Sequence, residues 1–527
     1  MSLCCRLLKR FLYFLAFFFL VVLLPGFPPH TTFPFAPFEV GQPVELKGVL
    51  ELNGHLNKAE RLLEGRVHGP EHLLAIGNTI FTGIQGGEVI QINGDHITHV
   101  AKFGAPCEGS FEESKCGRPL GMVLDNRKNH LIVADAFYGI WQVNVENGKK
   151  QLLVSMNQEV KGATPRRPKI ANSVAVHSSG DIYWTDSSSD FGIDDGMFTM
   201  LANPSGRLIH YDRAKNVSTA LIDEMFFANG LLISPGEDFI VVAETAANRL
   251  RKYHLKGAKK GTSEMFLENL PGLPDNLSPA DDDGFWVALV VPYDKDTPSL
   301  TNSMAKVPLI RKFLLRMLYL IETPFRLISS SLPNIYTQKI YHAIGHFETT
   351  SAVFGPRVTM LKVDWSGRIV EALHCTDESM KGMSHLLQVG DYYYLGSPFS
   401  KYMGRVKVPQ HLQSVKKEAP KPTTTTERPT TTTTTTEKPT TTTTTTEKPT
   451  TTTTTTTTTP KPTTTTPKPT TTTPPPTKAP SPPPTKPTTE APKKESIPIH
   501  EEIPNDTKPT PAPKLKVIKK GGEQGEL

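Results

Sequence analysis

One short pattern recurs six times and constrains the fold more than any other feature. An apolar, β-rich tetrad ends in a small or acidic residue at Ile80-Phe81-Thr82-Gly83, Ile132-Val133-Ala134-Asp135 and Tyr183-Trp184-Thr185-Asp186. It returns at Val241-Val242-Ala243-Glu244, Phe285-Trp286-Val287-Ala288 and Tyr393-Tyr394-Leu395-Gly396. The intervals are roughly 50 residues, and the last is about twice that, which predicts an insertion there. Turn residues precede the copies, as at Gly77-Asn78, Gly180-Asp181 and Gly390-Asp391. Short β segments with turns at this period read as four-stranded blades. Six blades predict an all-β chain, a six-bladed β-propeller over about residues 40–410.

In such a fold the innermost strand of each blade starts near the central channel. Residues about 8–12 before each tetrad therefore gather at one channel end. In blade order they are Glu71, Gly121, Asn172, Asn229, Asp275 with Asn276, and His385. Carboxylates and carboxamides converging on an axis are the hard oxygen donors that Ca²⁺ requires. Glu71, Asn172, Asn229, Asp275 and Asn276 are the expected metal ligands.

Composition divides the chain. The segment from Lys416 to the C-terminus holds 23 of the 47 Pro, 17 of the 58 Lys and Arg, 11 of the 52 Asp and Glu, and no aromatic residue. The rest balances at 41 basic against 41 acidic residues, so the whole +6 charge belongs to the tail. Nothing in a neutral propeller argues for nucleic acid. The tail, 416–527, cannot bury enough apolar surface to offset its ordering entropy and is expected to be disordered. Its Thr runs, such as Thr430–Thr436 before Glu437-Lys438-Pro439, read as an O-glycosylated, mucin-like stalk if the chain is exported.

The N-terminal residues 1–27 supply an export signal. Arg6, Lys9 and Arg10 precede an apolar run, Phe11 to Leu24, with no small-x-small cleavage site after it. The expectation is an uncleaved, single-pass type II signal-anchor, with the propeller and tail outside the plasma membrane. The alternative is secretion after cleavage. Cys4 and Cys5 are candidates for palmitoylation. Five Cys are too few for a disulfide-dense scaffold, but Cys107 and Cys116 are expected to pair in an oxidising compartment. Cys375 is expected to remain a buried thiol. Asn216 and Asn505 begin glycosylation sequons, while the sequon at Asn276 runs into Pro279.

Gly69-Pro70-Glu71, Arg118-Pro119-Leu120-Gly121, Ile182-Tyr183-Trp184-Thr185-Asp186, Ala228-Asn229-Gly230 and Leu273-Pro274-Asp275-Asn276 resemble the strictosidine synthase-like proteins. The adipocyte plasma membrane-associated branch is nearest, and the Thr/Pro tail is similar to that of an insect surface mucin within it. The resemblance implies a propeller shared with paraoxonases and related lactonases, whose channel Ca²⁺ is held by a Glu, Asn, Asn, Asp set. Glu71, Asn172, Asn229 and Asp275 match that set in type and order, Asn276 matches a further paraoxonase ligand, and the Cys107–Cys116 pair fits the family disulfide. Two departures stand out. Strictosidine synthase uses a last-blade Glu, whereas Ser384-His385-Leu386-Leu387-Gln388 has no carboxylate. The paraoxonase-type catalytic His aligns with Leu120.

Two functions from different classes follow. One is a Ca²⁺-assisted esterase, arylesterase or lactonase acting on a small molecule, with Asp275 as base or nucleophile and His385 as proton shuttle. The other is a non-catalytic surface mucin whose O-glycans bind lectins or microbial surfaces in an immune setting. The insertion, 297–357, contains Val307–Leu332, apolar nearly all round at its centre. That pattern predicts burial against the propeller, or an interfacial helix that lids the channel or touches the membrane.

Overall fold

The computed structural model describes residues 3–413, except 126, 128, 281–282, 295–298 and 354. The tail and Asn505 lie outside the described residues. Six four-stranded antiparallel sheets make up the β structure. Blades one to five are consecutive meanders spanning Leu73–Lys102, Pro119–Val154, Ala171–Met225, Ala228–Leu267 and Gly272–Cys375. The sixth joins strands His385–Val389, Tyr392–Gly396 and Met403–Lys407 to Glu60–Leu62 from the N-terminal side. Pairing the two ends of the β region in one sheet closes the ring and leaves no free blade at the seam.

Each of the six sequence tetrads lies in the second strand of its blade: Thr79–Ile84, His130–Asp135, Ile182–Asp186, Phe239–Glu244, Phe285–Pro292 and Tyr392–Gly396. A second strand is flanked on both edges and covered on both faces, which explains why these segments are apolar without alternation. Ile132, Val133, Ala134 and Trp184 are fully buried. Side chains of neighbouring blades interdigitate, as where Trp184 and Ile209 join Ile132 and Ala134 in one cluster.

The acidic tetrad ends are structural. Asp186 pairs with Arg207 at 2.7 Å, both wholly buried, and accepts from the Lys169 and Ile170 amides. Asp135 accepts from the Phe137 and Tyr138 amides, and Glu244 pairs with Arg249 and Arg251.

Six α-helices are described: α1 (Leu3–Leu23), α2 (Glu113–Cys116), α3 (Gly196–Leu201), α4 (Leu300–Met304), α5 (Pro308–Ser331) and α6 (Ile335–Gly345). The last three fill the long interval between the second and third strands of blade five. Full burial of α5 is not what forms. Arg311, Leu315, Arg316 and Glu322 are buried, while Leu309, Ile310, Ile321, Leu327 and Ile328 are exposed. The reason is that α5 packs against other helices, chiefly α6 and also α1 and α3, which leave part of its surface uncovered. Arg311 donates to the carbonyls of Leu201 and Ala202, and Arg316 to those of Val22 and Leu24. Phe313 packs among Phe14, Phe17 and Phe18.

Among the described residues no helix is long and apolar enough to cross a membrane. Helix α1 has 21 residues and carries Arg6, Lys9 and Arg10 in its first turns. Cys107 and Cys116 form a disulfide, and Cys375 is a buried thiol. Asn216 is exposed in a turn between two strands of blade three, whereas Asn276 is 1% exposed and closed to a glycosyltransferase.

Candidate metal centre on the propeller axis

The inner strands carry matching irregularities. In blade three the pairing Ala171–Asp186 is followed by Val174–Trp184, three residues on one strand against two on the other. The same one-residue bulge falls between Ala228 and Leu231 in blade four and between Pro274 and Leu277 in blade five. Asn172, Asn229 and the Asp275-Asn276 pair sit within these bulges. A bulge re-aims the side chains it contains and interrupts the ladder. It thereby turns polar groups out of the sheet where regular strands would bury apolar ones.

The blades meet closely at this level. A Cβ on Gly230 would lie 2.5 Å from the Leu277 amide nitrogen and 2.6 Å from the Asp275 carbonyl, and one on Gly396 would lie 2.2 Å from the Glu71 carbonyl. Only glycine permits that approach. Thr185 adds a stitch: its hydroxyl accepts from the Ser173 amide at 3.0 Å and donates to the Asn229 carbonyl at 2.8 Å.

All five expected ligands are buried. Among the described residues, Glu71 Oε2, Asn172 Oδ1, Asn229 Oδ1, Asp275 Oδ1 and Asn276 Oδ1 have no hydrogen-bond partner. One such atom costs about 1–3 kcal/mol, so five at or just before the inner strands of blades one, three, four and five call for a ligand. Burial pushes the Glu71 carboxyl up to about 7, with Arg118 opposing the rise and Glu113 adding to it. Burial, then repulsion from Glu71, raises Asp275 well above its ordinary range. The amides of Asn276 beside Glu71 and Asn229 beside Asp275 soften these shifts without hydrogen bonds of good geometry. Hard oxygens with two strained carboxylates fit a Ca²⁺ ion.

Sequence reasoning missed the charges around this set. Arg118 is 1% exposed; its Nη2 lies 3.7 Å from Glu71 Oε2 and its Nη1 3.0 Å from Glu113 Oε1. Burial alone would raise Glu113, but Arg118 and then His346 outweigh it and hold the carboxylate ionised. Once a cation ionises Glu71 and Asp275, these two with Glu113 against Arg118 carry two net negative charges, the complement of a divalent ion.

His385 is buried, 4.3 Å from His72 between ring centroids. Its Nδ1 accepts a long 3.4 Å contact from the Leu73 amide, which puts the proton on Nε2. Burial, and then the neighbouring His72, keeps it neutral; burial lowers His72 to about 4. His72 adjoins Glu71 in sequence, the one signal that could have found it. Leu120 packs in an apolar cluster with Ala136 and Ile170, so the second blade offers no imidazole there.

A cleft of about 330 Å³ opens beside the insertion, lined by residues including Phe137, Arg167, Lys169, Asp194 and Tyr341. Burial, then the charges of Glu113 and Asp195, pushes the Asp194 carboxyl up to about 7.

Residues 172–258 match the strictosidine synthase family, and residues 48–92 match the strictosidine synthase-like N-terminal family. The Drosophila melanogaster adipocyte plasma membrane-associated protein Hemomucin is 54% identical over 414 residues, covering 78% of this chain and 71% of that protein. The Gallus gallus adipocyte plasma membrane-associated protein is 38% identical over 380 residues, covering 71% of this chain and 84% of its own. Among solved structures, a Xanthomonas campestris gluconolactonase aligns with a TM-score of 0.41 at 13% identity, covering 72% of this chain and 99% of that one.

Proposed function

Since this chain belongs to the adipocyte plasma membrane-associated branch of the strictosidine synthase-like proteins, we propose that its propeller is a calcium-dependent hydrolase of ester or lactone bonds. The observation that carries this reading is the group of five buried oxygens without hydrogen-bond partners, four on the inner strands of blades three to five and one, from Glu71, just before the inner strand of blade one. Glu71, Asn172, Asn229, Asp275 and Asn276 would hold the ion. Bound there, Ca²⁺ supplies polarisation of the substrate carbonyl and stabilisation of the developing oxyanion.

The chain's own residues divide the remaining work. Glu71 faces the Arg118 guanidinium, whereas Asp275 is surrounded by burial, Glu71 and Asn229. Asp275 is therefore the more basic carboxylate and the candidate nucleophile or general base. His385, protonated at Nε2 and shielded from water, is the candidate donor to a leaving oxygen. Amine–aldehyde condensation is not proposed, because Ser384–Gln388 carries no carboxylate.

The full chain, assayed on aryl esters and lactones with and without a calcium chelator, tests this. Asp275→Asn is expected to lose roughly 100-fold or more in turnover, and Glu71→Gln to raise the calcium requirement. Full metal-dependent turnover in both variants rejects the proposal.

The N-terminal segment, apolar from Phe11 onward, is the candidate attachment to the plasma membrane, in the type II orientation. Relatives named plasma membrane-associated support this. The Thr/Pro tail favours a second role that can coexist with the first: O-glycans that bind lectins or microbial surfaces. Enzymatic removal of O-glycans should abolish lectin binding, and unchanged binding counts against that role.

A further inference from the structure

We propose that His342, His346 and Glu348 form a second metal site, for Zn²⁺ or a similar first-row divalent ion, within the helical insertion where it meets the loop between blades one and two. The site is separate from the axial donor set and does not depend on the hydrolase reading.

His342 and His346 are four residues apart at the C-terminal end of α6, a spacing that puts both on one face. Their rings stack with centroids 4.1 Å apart at 21°. His346 ends the helix, and the chain turns at once into a 3₁₀ segment, Phe347–Val353, that brings Glu348 back to the imidazoles. His342 Nε2 lies 2.9 Å from Glu348 Oε2, and one donor atom from each of the three residues falls within 4.8 Å of the others. Bonds to zinc are about 2.0–2.2 Å for nitrogen and carboxylate oxygen, so the three groups would have to close on the ion as it binds.

The orientation of His346 is the decisive observation. Its Nε2 lies 3.2 Å from Glu113 Oε2, and both side chains are 1% exposed. Its Nδ1 lies 3.0 Å from the Glu348 amide nitrogen, so Nδ1 accepts and Nε2 donates to Glu113. A metal-binding imidazole typically gives its other N–H to a carboxylate, which fixes the ring and makes it a better ligand. Here Nδ1 is the ligand atom, and binding exchanges the amide hydrogen bond for a bond to the metal. Glu113 is in turn held by Arg118 at 3.0 Å. Two imidazoles with one carboxylate select zinc-like ions over calcium.

The three ligands lie on the insertion, whereas Glu113 and Arg118 lie in the loop between blades one and two, next to the Cys107–Cys116 disulfide. The His346–Glu113 bond therefore connects the site to that loop, and through Arg118 to Glu71.

The test uses the purified full chain, stripped with a chelator and re-equilibrated with zinc, read by elemental analysis and zinc-edge X-ray absorption. One zinc per chain with two imidazole ligands is expected. His342→Ala and Glu348→Gln should lose it while near-ultraviolet circular dichroism and calcium uptake stay as in the wild type. Both side chains are partly exposed (11% and 33%), so their removal spares the buried pair. Glu113→Gln should weaken zinc binding by about 10–100-fold. A wild-type chain that retains no zinc, or variants that retain it at the wild-type level, overturns the proposal. Should His342→Ala fail to fold, Glu348→Gln alone decides.

Discussion

Arg118 Nη2 stands 3.7 Å from Glu71 Oε2 in an interior where both side chains are almost completely shielded from water. The same guanidinium reaches Glu113 at 3.0 Å and donates to the Pro398 carbonyl. One cation thus links the first blade, the disulfide loop and the last blade.

Removing that cation strands the ionised Glu113 carboxylate and withdraws the charge that opposes the rise of Glu71. Arg118→Met is expected to cost about 3–5 kcal/mol, the usual price of leaving buried charge uncompensated. Thermal unfolding of the calcium-free protein measures it, and Glu113→Gln in the same chain should recover part of the loss.

Calcium-free protein should lose stability as pH rises. Glu71 is raised from 4.5 to about 7, so the folded state keeps a proton there that the unfolded state releases. The penalty is absent below about pH 4, grows through the interval, and is complete above pH 7; Asp275, raised further, extends it upward. A melting-temperature series in chelator should fall across this range, with the shift on adding calcium largest at high pH. Glu71→Gln should flatten the low-pH part of the curve.

The close approach of blades four and five predicts a geometric effect. The Cβ of Gly230→Ala would meet the Asp275 carbonyl at 2.6 Å, so the blades must separate. The expected cost is about 1–3 kcal/mol, together with weaker calcium affinity in a folded protein. Calorimetric titration reads the affinity, and an unchanged value contradicts the bulge account.

The Asp186–Arg207 pair separates structural from functional acids. Arg207→Ala should lower stability by about 3–5 kcal/mol without changing calcium stoichiometry, because the pair is wholly buried within blade three.

The blade count was legible because second strands are covered on all sides, so their apolar tetrads stand out at a regular interval. The axial residues were legible for a related reason: the common offset of Asn172, Asn229 and Asp275 corresponds to one bulge repeated in three inner strands. Arg118, Glu113 and the insertion histidines were not. His346 meets Glu113 across 233 residues, and no local pattern records a contact made only when the insertion folds back. The partial burial of α5 was obscured for the opposite reason, since its apolar composition does not say how many neighbours it has.

Calcium binding to the full chain tests the central claim most directly. Titration of chelator-stripped wild-type protein at neutral pH should show one axial calcium with proton release, and Asp275→Asn should abolish it. No uptake by the wild type, or equal uptake by the variant, would contradict an axial calcium site.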